Sequence, residues 1–137
     1  FVTVADSMTQ ATTTFTALTT GPDGSTVNGV RVPQGASKVS LLGVGVSHNG
    51  VAIADTGNNI TLQFSGVGMT DGTQELAVGC LASQATGTSV TGTLSYRPAF
   101  YRNVDIKVKG GEIISLAAAY DGTDGGDPFI VVTLGFE

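Results

Sequence analysis

The chain has 137 residues, a length typical of one domain with a single core. Charged residues make up only 12% of it, about half the usual share, which indicates a surface partly covered by neighbouring subunits. The net charge of −5 argues against a nucleic-acid-binding protein, because phosphate contacts require clustered cations.

Two further classes are disfavoured by simple counts. The single cysteine, Cys80, cannot form an internal disulfide, and with one histidine in the chain it offers no spacing suited to zinc. No apolar run approaches the roughly 18 to 20 residues that a spanning helix needs, so no membrane span is expected.

Short β-type runs separated by turn signals fill the chain, and helical periodicity is nearly absent. A change of parity at Leu41–Gly43 predicts a bulge, and "HNG" (His48–Gly50) predicts a hairpin turn. The run Glu75–Ala82 is apolar on both faces and is predicted to be a central strand. The predicted strands are Thr12–Thr20, Val27–Pro33, Ser37–His48, Val51–Ala54, Asn59–Val67, Glu75–Ala82, Val90–Tyr96, Phe100–Gly110, Glu112–Tyr120 and Phe129–Phe136.

This strand spacing predicts an all-β fold. Turn signals recur every 8 to 12 residues or so, as in sandwiches, and no helix-length segment separates the strands, which disfavours a parallel βαβ arrangement. We therefore predict an antiparallel β-sandwich, a single jelly roll of about eight strands.

The first twenty residues differ from the rest in being rich in threonine, so residues 1–20 are treated as one unit and 21–137 as the sandwich domain. The segment is either an ordinary first strand or an arm that pairs with a neighbouring subunit. The arm alternative predicts that deletion of residues 1–18 impairs assembly and leaves the sandwich folded. Its predicted interface residues are Phe1, Val2, Val4, Phe15 and Leu18.

The stretch "AYDGTDGGDPF" places Asp121, Asp124 and Asp127 at a spacing of three between two predicted strands. Carboxylates and loop carbonyls are the ligands that calcium prefers, so the trio is a candidate calcium site. The spacing does not match an EF-hand. The alternative is a polar loop that keeps the rim of the sandwich soluble, with no cofactor.

No constellation of residues predicts an enzyme. His48 lies in a predicted turn, and no nucleophile elbow or phosphate-binding loop accompanies it. Glycoside hydrolysis requires paired acids in a cleft usually lined by aromatic residues, and this chain has no Trp and three Tyr.

Three sequence features resemble small single-jelly-roll structural proteins of icosahedral viruses. These are the "VP-x-G-x-x-x-V" pattern leading into the strand at Ser37, the paired pattern "VDIKVKGGEIISL" (Val104–Leu116) and the final apolar strand "FIVVTLGF". The resemblance covers residues 27–137 and implies a capsid or capsid-associated subunit without an active site. The basic N-terminal tail that many RNA-virus coat proteins use is missing, which puts direct genome binding in doubt.

We therefore expect a self-assembling structural subunit located in a virion, whose partners are further copies or other structural subunits. Two alternatives remain. One is an extracellular filament or surface-layer subunit that exchanges its N-terminal strand. The other is a calcium-dependent adhesion or ligand-binding sandwich that uses Asp121–Asp127.

Overall fold

The computed structural model describes residues 2–8, 14–49, 59–80, 93–95, 101–121 and 129–137, and for 46–49, 79–80, 93–95 and 101–105 the backbone alone. These residues form ten strands and no helix. The strands are β1 (Val2–Ser7), β2 (Thr16–Ala17), β3 (Val30–Arg31), β4 (Lys38–Asn49), β5 (Asn59–Ser65), β6 (Gln74–Cys80), β7 (Thr93–Ser95), β8 (Tyr101–Lys107), β9 (Ile113–Tyr120) and β10 (Phe129–Phe136).

The strands build two antiparallel five-stranded sheets. Sheet A has the order β1-β10-β4, with β7 and β8 both on the far edge of β4, and sheet B has the order β9-β5-β6, with β2 and β3 both on the free edge of β9. The ten strands thus fill eight positions, and the order of these positions is that of a jelly roll. The predicted antiparallel jelly-roll sandwich is confirmed.

The core lies between the two sheets because apolar side chains alternate along each strand. In β5 the residues Ile60, Leu62 and Phe64 are buried, and their neighbours Thr61 and Gln63 are half-buried on the other face. The same alternation orients β9 and β10. The largest fully buried side chains are Tyr120, Phe64, Met8, Leu41, Ile60, Leu62, Ile114, Ile130 and Leu134.

A bulge in β4 confirms the predicted change of parity. Gly43 pairs with Thr133 and Leu41 pairs with Leu134, so Leu42 has no opposite residue in β10. Because of the bulge, Leu41 and Val44 both face the core, although regular alternation would place residues three positions apart on opposite faces.

The turn between β5 and β6 closes one end of the sandwich by contacting both sheets. The Gly68 N–H donates to the Ile113 carbonyl oxygen of β9 in sheet B (2.9 Å), and the Lys109 N–H after β8 donates to the Gly68 carbonyl oxygen (2.8 Å). Met69 forms a further bridge with Val108. Gly68 is therefore hydrogen-bonded on one side to Ile113, the first residue of β9 in sheet B, and on the other side to Lys109, which follows β8 of sheet A.

Two sequence predictions are wrong. The hairpin turn predicted over His48–Gly50 does not begin at His48 or Asn49: β4 runs through both, one residue beyond the predicted strand Ser37–His48, and β7 pairs with this end of it. The strand β6 is not central: within the described pairings it lies at the edge of sheet B, beside β5 only, and Ala77 on its outer side is exposed. The predicted strand Val51–Ala54 and the hairpin residue Gly50 lie outside the described residues.

Candidate functional site

Asp121 closes the end of sheet B where β9 and β5 lie side by side. It follows the last residue of β9, and Asn59 opens β5 opposite it. The Asn59 N–H donates to Oδ1 of Asp121 (2.6 Å), and the Asn59 side-chain amide donates to Oδ2 (3.1 Å). The Asp121 N–H in turn donates to the Asn59 carbonyl oxygen (3.2 Å). Both carboxylate oxygens therefore hold the start of the neighbouring strand.

The calcium site stays a prediction. Asp124 and Asp127 lie outside the described residues, so their distances to Asp121 are not defined. Within the described ranges, no three His, Cys, Asp or Glu side chains converge on a common point. Asp121 alone has a described role, and that role is structural.

Replacement of Asp121 by alanine is expected to lower the free energy of unfolding by about 1 kcal/mol, because two hydrogen bonds to an exposed carboxylate are lost. Urea unfolding in calcium and in EDTA measures this loss. We expect the same loss in both buffers. A wild-type midpoint that rises with calcium, together with an Asp121→Ala midpoint that does not, would instead establish a calcium site.

The predicted N-terminal interface residues do not form an exposed patch. Val4 and Leu18 are buried in the core of the same chain, at 1% and 3% exposure. Val2 packs against that core, and Phe15 is half-buried. Phe1 lies outside the described residues. Val4 and Leu18 can therefore reach a neighbouring subunit only if the segment leaves its own sandwich.

The two halves of the N-terminal segment are held together by polar contacts. Ala5 and Thr20 exchange both backbone hydrogen bonds, at 2.8 and 3.0 Å. The Thr19 hydroxyl donates to Oδ2 of Asp6 (2.8 Å), and the Ser7 N–H donates to Oδ1 (2.8 Å). Partial burial of the Asp6 carboxylate raises its pKa. These two hydrogen bonds and a third from the Thr19 N–H lower the pKa by more in total, so it lies below its ordinary value.

The face of sheet A that points away from the core is uncharged over three strands. In β10 the residues Ile130, Val132 and Leu134 are fully buried against the core, so Phe129, Val131 and Thr133 point outward. We call this surface the outer face of sheet A. It consists of Thr3, Ala5 and Ser7 of β1, Phe129, Val131, Thr133 and Gly135 of β10, and Ser40, Leu42, Gly43 and Gly45 of β4.

On β1, β10 and β4, charge on the outer side lies at one end only, within the residues whose side chains are described. Beyond the pair formed by Gly135 and Ser40, the backbones of Glu137 and Lys38 pair through hydrogen bonds of 2.9 and 3.1 Å. Lys107 of β8 lies beside Lys38. The outer face is therefore an uncharged area with a row of mixed charge along one margin.

The outer face of sheet B is different. Its strands carry charged residues at Arg31 and Glu75, Asp121 follows the end of β9, and Gln63 donates a hydrogen bond to Glu75 at 3.1 Å. Small and polar side chains such as Thr61 fill most positions between them, and Ile113, which pairs with Arg31, is an exposed apolar residue on this face. This is the composition of an ordinary solvated sheet.

Sequence reasoning missed the outer face of sheet A, although a signal for it was present. The alternation in "FIVVTLGF" separates Ile130, Val132 and Leu134 from an equally uncharged second set, and "GVGV" in β4 alternates glycine with valine. A strand that is uncharged on both faces indicates that both faces are covered. The sequence does not show that β10 and β4 are neighbours, and without that pairing the two signals do not combine into one surface.

Other candidate chemistry contributes little to a site. His48 lies in β4, opposite Leu94, and the side chains of His48 and Cys80 lie outside the described set. In the part of the chain that the structure describes, no helix is long and apolar enough to cross a membrane.

Comparisons with protein-family models, with curated proteins and with solved structures found no match to this chain.

Proposed function

We propose that this protein is a structural subunit that self-assembles, as a capsid or capsid-associated protein of a virion. The observation that carries the proposal is the uncharged outer face of sheet A, which has no Asp, Glu, Lys or Arg among its described residues. A monomer normally places charge on an exposed sheet, since flat uncharged sheets aggregate. An uncharged face of this kind supports the proposal that a partner covers it in the assembled state.

The composition of the whole chain supports the same proposal. Only 12% of residues are charged, so association removes few ions from water. The jelly roll is a fold of viral capsid subunits and also of lectins and cupins, so the fold alone does not decide between these functions. Further copies or other structural subunits are the proposed partners. A nucleic acid is not, because the outer face carries no cation.

Neither alternative is favoured by a contact among the described residues. Strand exchange in a filament requires β1 to leave its sheet, yet β1 pairs with β10 over Val2–Ser7. Calcium-dependent adhesion requires a ligand set around Asp121, whose two carboxylate oxygens both accept hydrogen bonds from Asn59. Both alternatives stay predictions.

The salt dependence of association tests the proposal. We expect the purified chain to associate as its concentration rises, and ammonium sulfate to strengthen association, because excluded salts favour burial of uncharged surface. Light scattering measures the mass, and electron microscopy distinguishes closed shells from linear polymers. Association that weakens as sodium chloride is added would show that charge drives assembly, since ions screen exposed charges.

A further inference from the structure

We infer that the outer face of sheet A binds the same face of a second copy around a twofold axis parallel to the strands, midway between β10 and β4. This inference rests on the proposed function and names the surface and the partner. Two independent features of the face, its relief and its charged margin, are satisfied by this one symmetry operation.

The relief of the face is a ridge beside a trough. Phe129, Val131 and Thr133 project in one row along β10, and Phe129 remains 39% exposed. The adjacent strand β4 presents Gly45 opposite Val131 and Gly43 opposite Thr133, where an added Cβ would meet no atom within 4 Å, and next to Gly43 the side chain of Leu42 lies over Gly135. Since β10 pairs directly with β4, the ridge and the trough are parallel and one strand spacing apart, about 4.8 Å.

A twofold axis between the two strands superposes complementary features. The axis places the β10 ridge of each copy over the β4 trough of the other copy, so the same contact between ridge and trough occurs twice in the dimer. This is the self-complementarity that an isologous interface requires. The two sheets then stack with their strands aligned, which is one of the two common modes of sheet packing.

The charged margin obeys the same operation. Glu137 continues the line of β10, and Lys38 begins β4 beside it. The axis therefore places Glu137 of each copy opposite Lys38 of the other, so that unlike charges meet at the rim. A second axis in the sheet plane, perpendicular to the strands, would stack ridge on ridge and is disfavoured by the relief.

The size of the face sets the strength of the contact. Three strands of roughly seven residues cover about 330 Å², using spacings of about 4.8 Å between strands and about 3.3 Å along them. A stable dimer buries about 800 Å² on each partner. The contact is therefore weak by itself and suits a subunit that makes several contacts in an assembly.

Filling the trough tests the inference. Gly43→Val and Gly45→Val each add a side chain into open space on a strand, so both variants should fold like the wild type. Ala117→Val is the matched control, because it enlarges a small outward residue in a central strand of sheet B. Sedimentation velocity from about 10 μM to about 1 mM should show dimerisation weakened at least roughly tenfold by the two glycine variants and unchanged by the control.

Charge reversal supplies a second measurement. Glu137→Lys and Lys38→Glu should each weaken dimerisation, and the double variant should restore it. If the wild type associates but neither trough filling nor charge reversal changes its dissociation constant, this inference is wrong. The proposed function then still holds, with a different surface forming the contact between subunits. If the wild type stays monomeric to about 1 mM, both are wrong.

Discussion

Deletion of residues 1–18 is expected to unfold the domain rather than to release a dispensable arm. The deletion removes the core side chains Val4, Met8 and Leu18, each at 3% exposure or less, together with all of β1. Burial of each such side chain stabilises the fold by about 1.5–3 kcal/mol. Their combined loss is comparable to the total stability of a small domain, about 5–15 kcal/mol. Circular dichroism and urea unfolding of the truncated chain measure the effect.

Two point variants test whether the core side chains of the N-terminal segment are needed for folding, without removing the segment itself. Val4→Asp places a carboxylate in the core and should unfold the domain, whereas Thr3→Asp, on the neighbouring outward position, should change stability by less than about 1 kcal/mol. Measurements at about 5 μM keep association through a contact of this small area low, so that they report on the folding of the single chain. A truncated chain with the wild-type unfolding midpoint would restore the arm interpretation.

Replacement of Gly68 by alanine is expected to destabilise the fold by about 3 kcal/mol, although the change adds one methyl group. A Cβ at this position would lie 2.8 Å from the Ile113 carbonyl oxygen and 2.7 Å from Cγ2 of Ile114. The oxygen belongs to the backbone of β9 and accepts the Gly68 N–H, so relief of the clash must shift the turn that joins the two sheets. Thermal and urea unfolding measure the loss.

Gly43→Ala is the control for this variant. It makes the same chemical change in a strand, where the added Cβ meets nothing within 4 Å, and should alter stability by no more than about 0.5 kcal/mol. Equal unfolding midpoints for the two variants would show that the close approach of Gly68 to β9 does not constrain the fold.

Local pattern determined much of the fold. The strand Phe129–Phe136 was predicted with its observed bounds, and the bulge at Leu42 followed from the change of parity in β4. Both signals are carried by neighbours in sequence, since side chains alternate along a strand whatever its partner is. The same alternation, with the turn spacing, was enough to predict an antiparallel sandwich.

Partners that are distant in sequence decided the rest. Asn49 has the local signal of a hairpin turn, yet it lies in β4, where it pairs with Thr93 of β7. The run around Ala77 has the composition of a central strand, yet it lies at an edge of the described sheet. Alternation shows which face a residue occupies and not which strand lies beside it, so central and edge positions depend on tertiary pairing.

The same distinction applies to the candidate site. Composition alone predicts a surface partly covered by neighbours, because the charged fraction is so low. Only the tertiary structure placed the ridge of Val131 beside the trough of Gly43 and Gly45, and moved Val4 and Leu18 from a predicted interface into the core. A surface is formed by residues from different strands, and the hydrogen-bonded pairing that brings them together is absent from any local pattern.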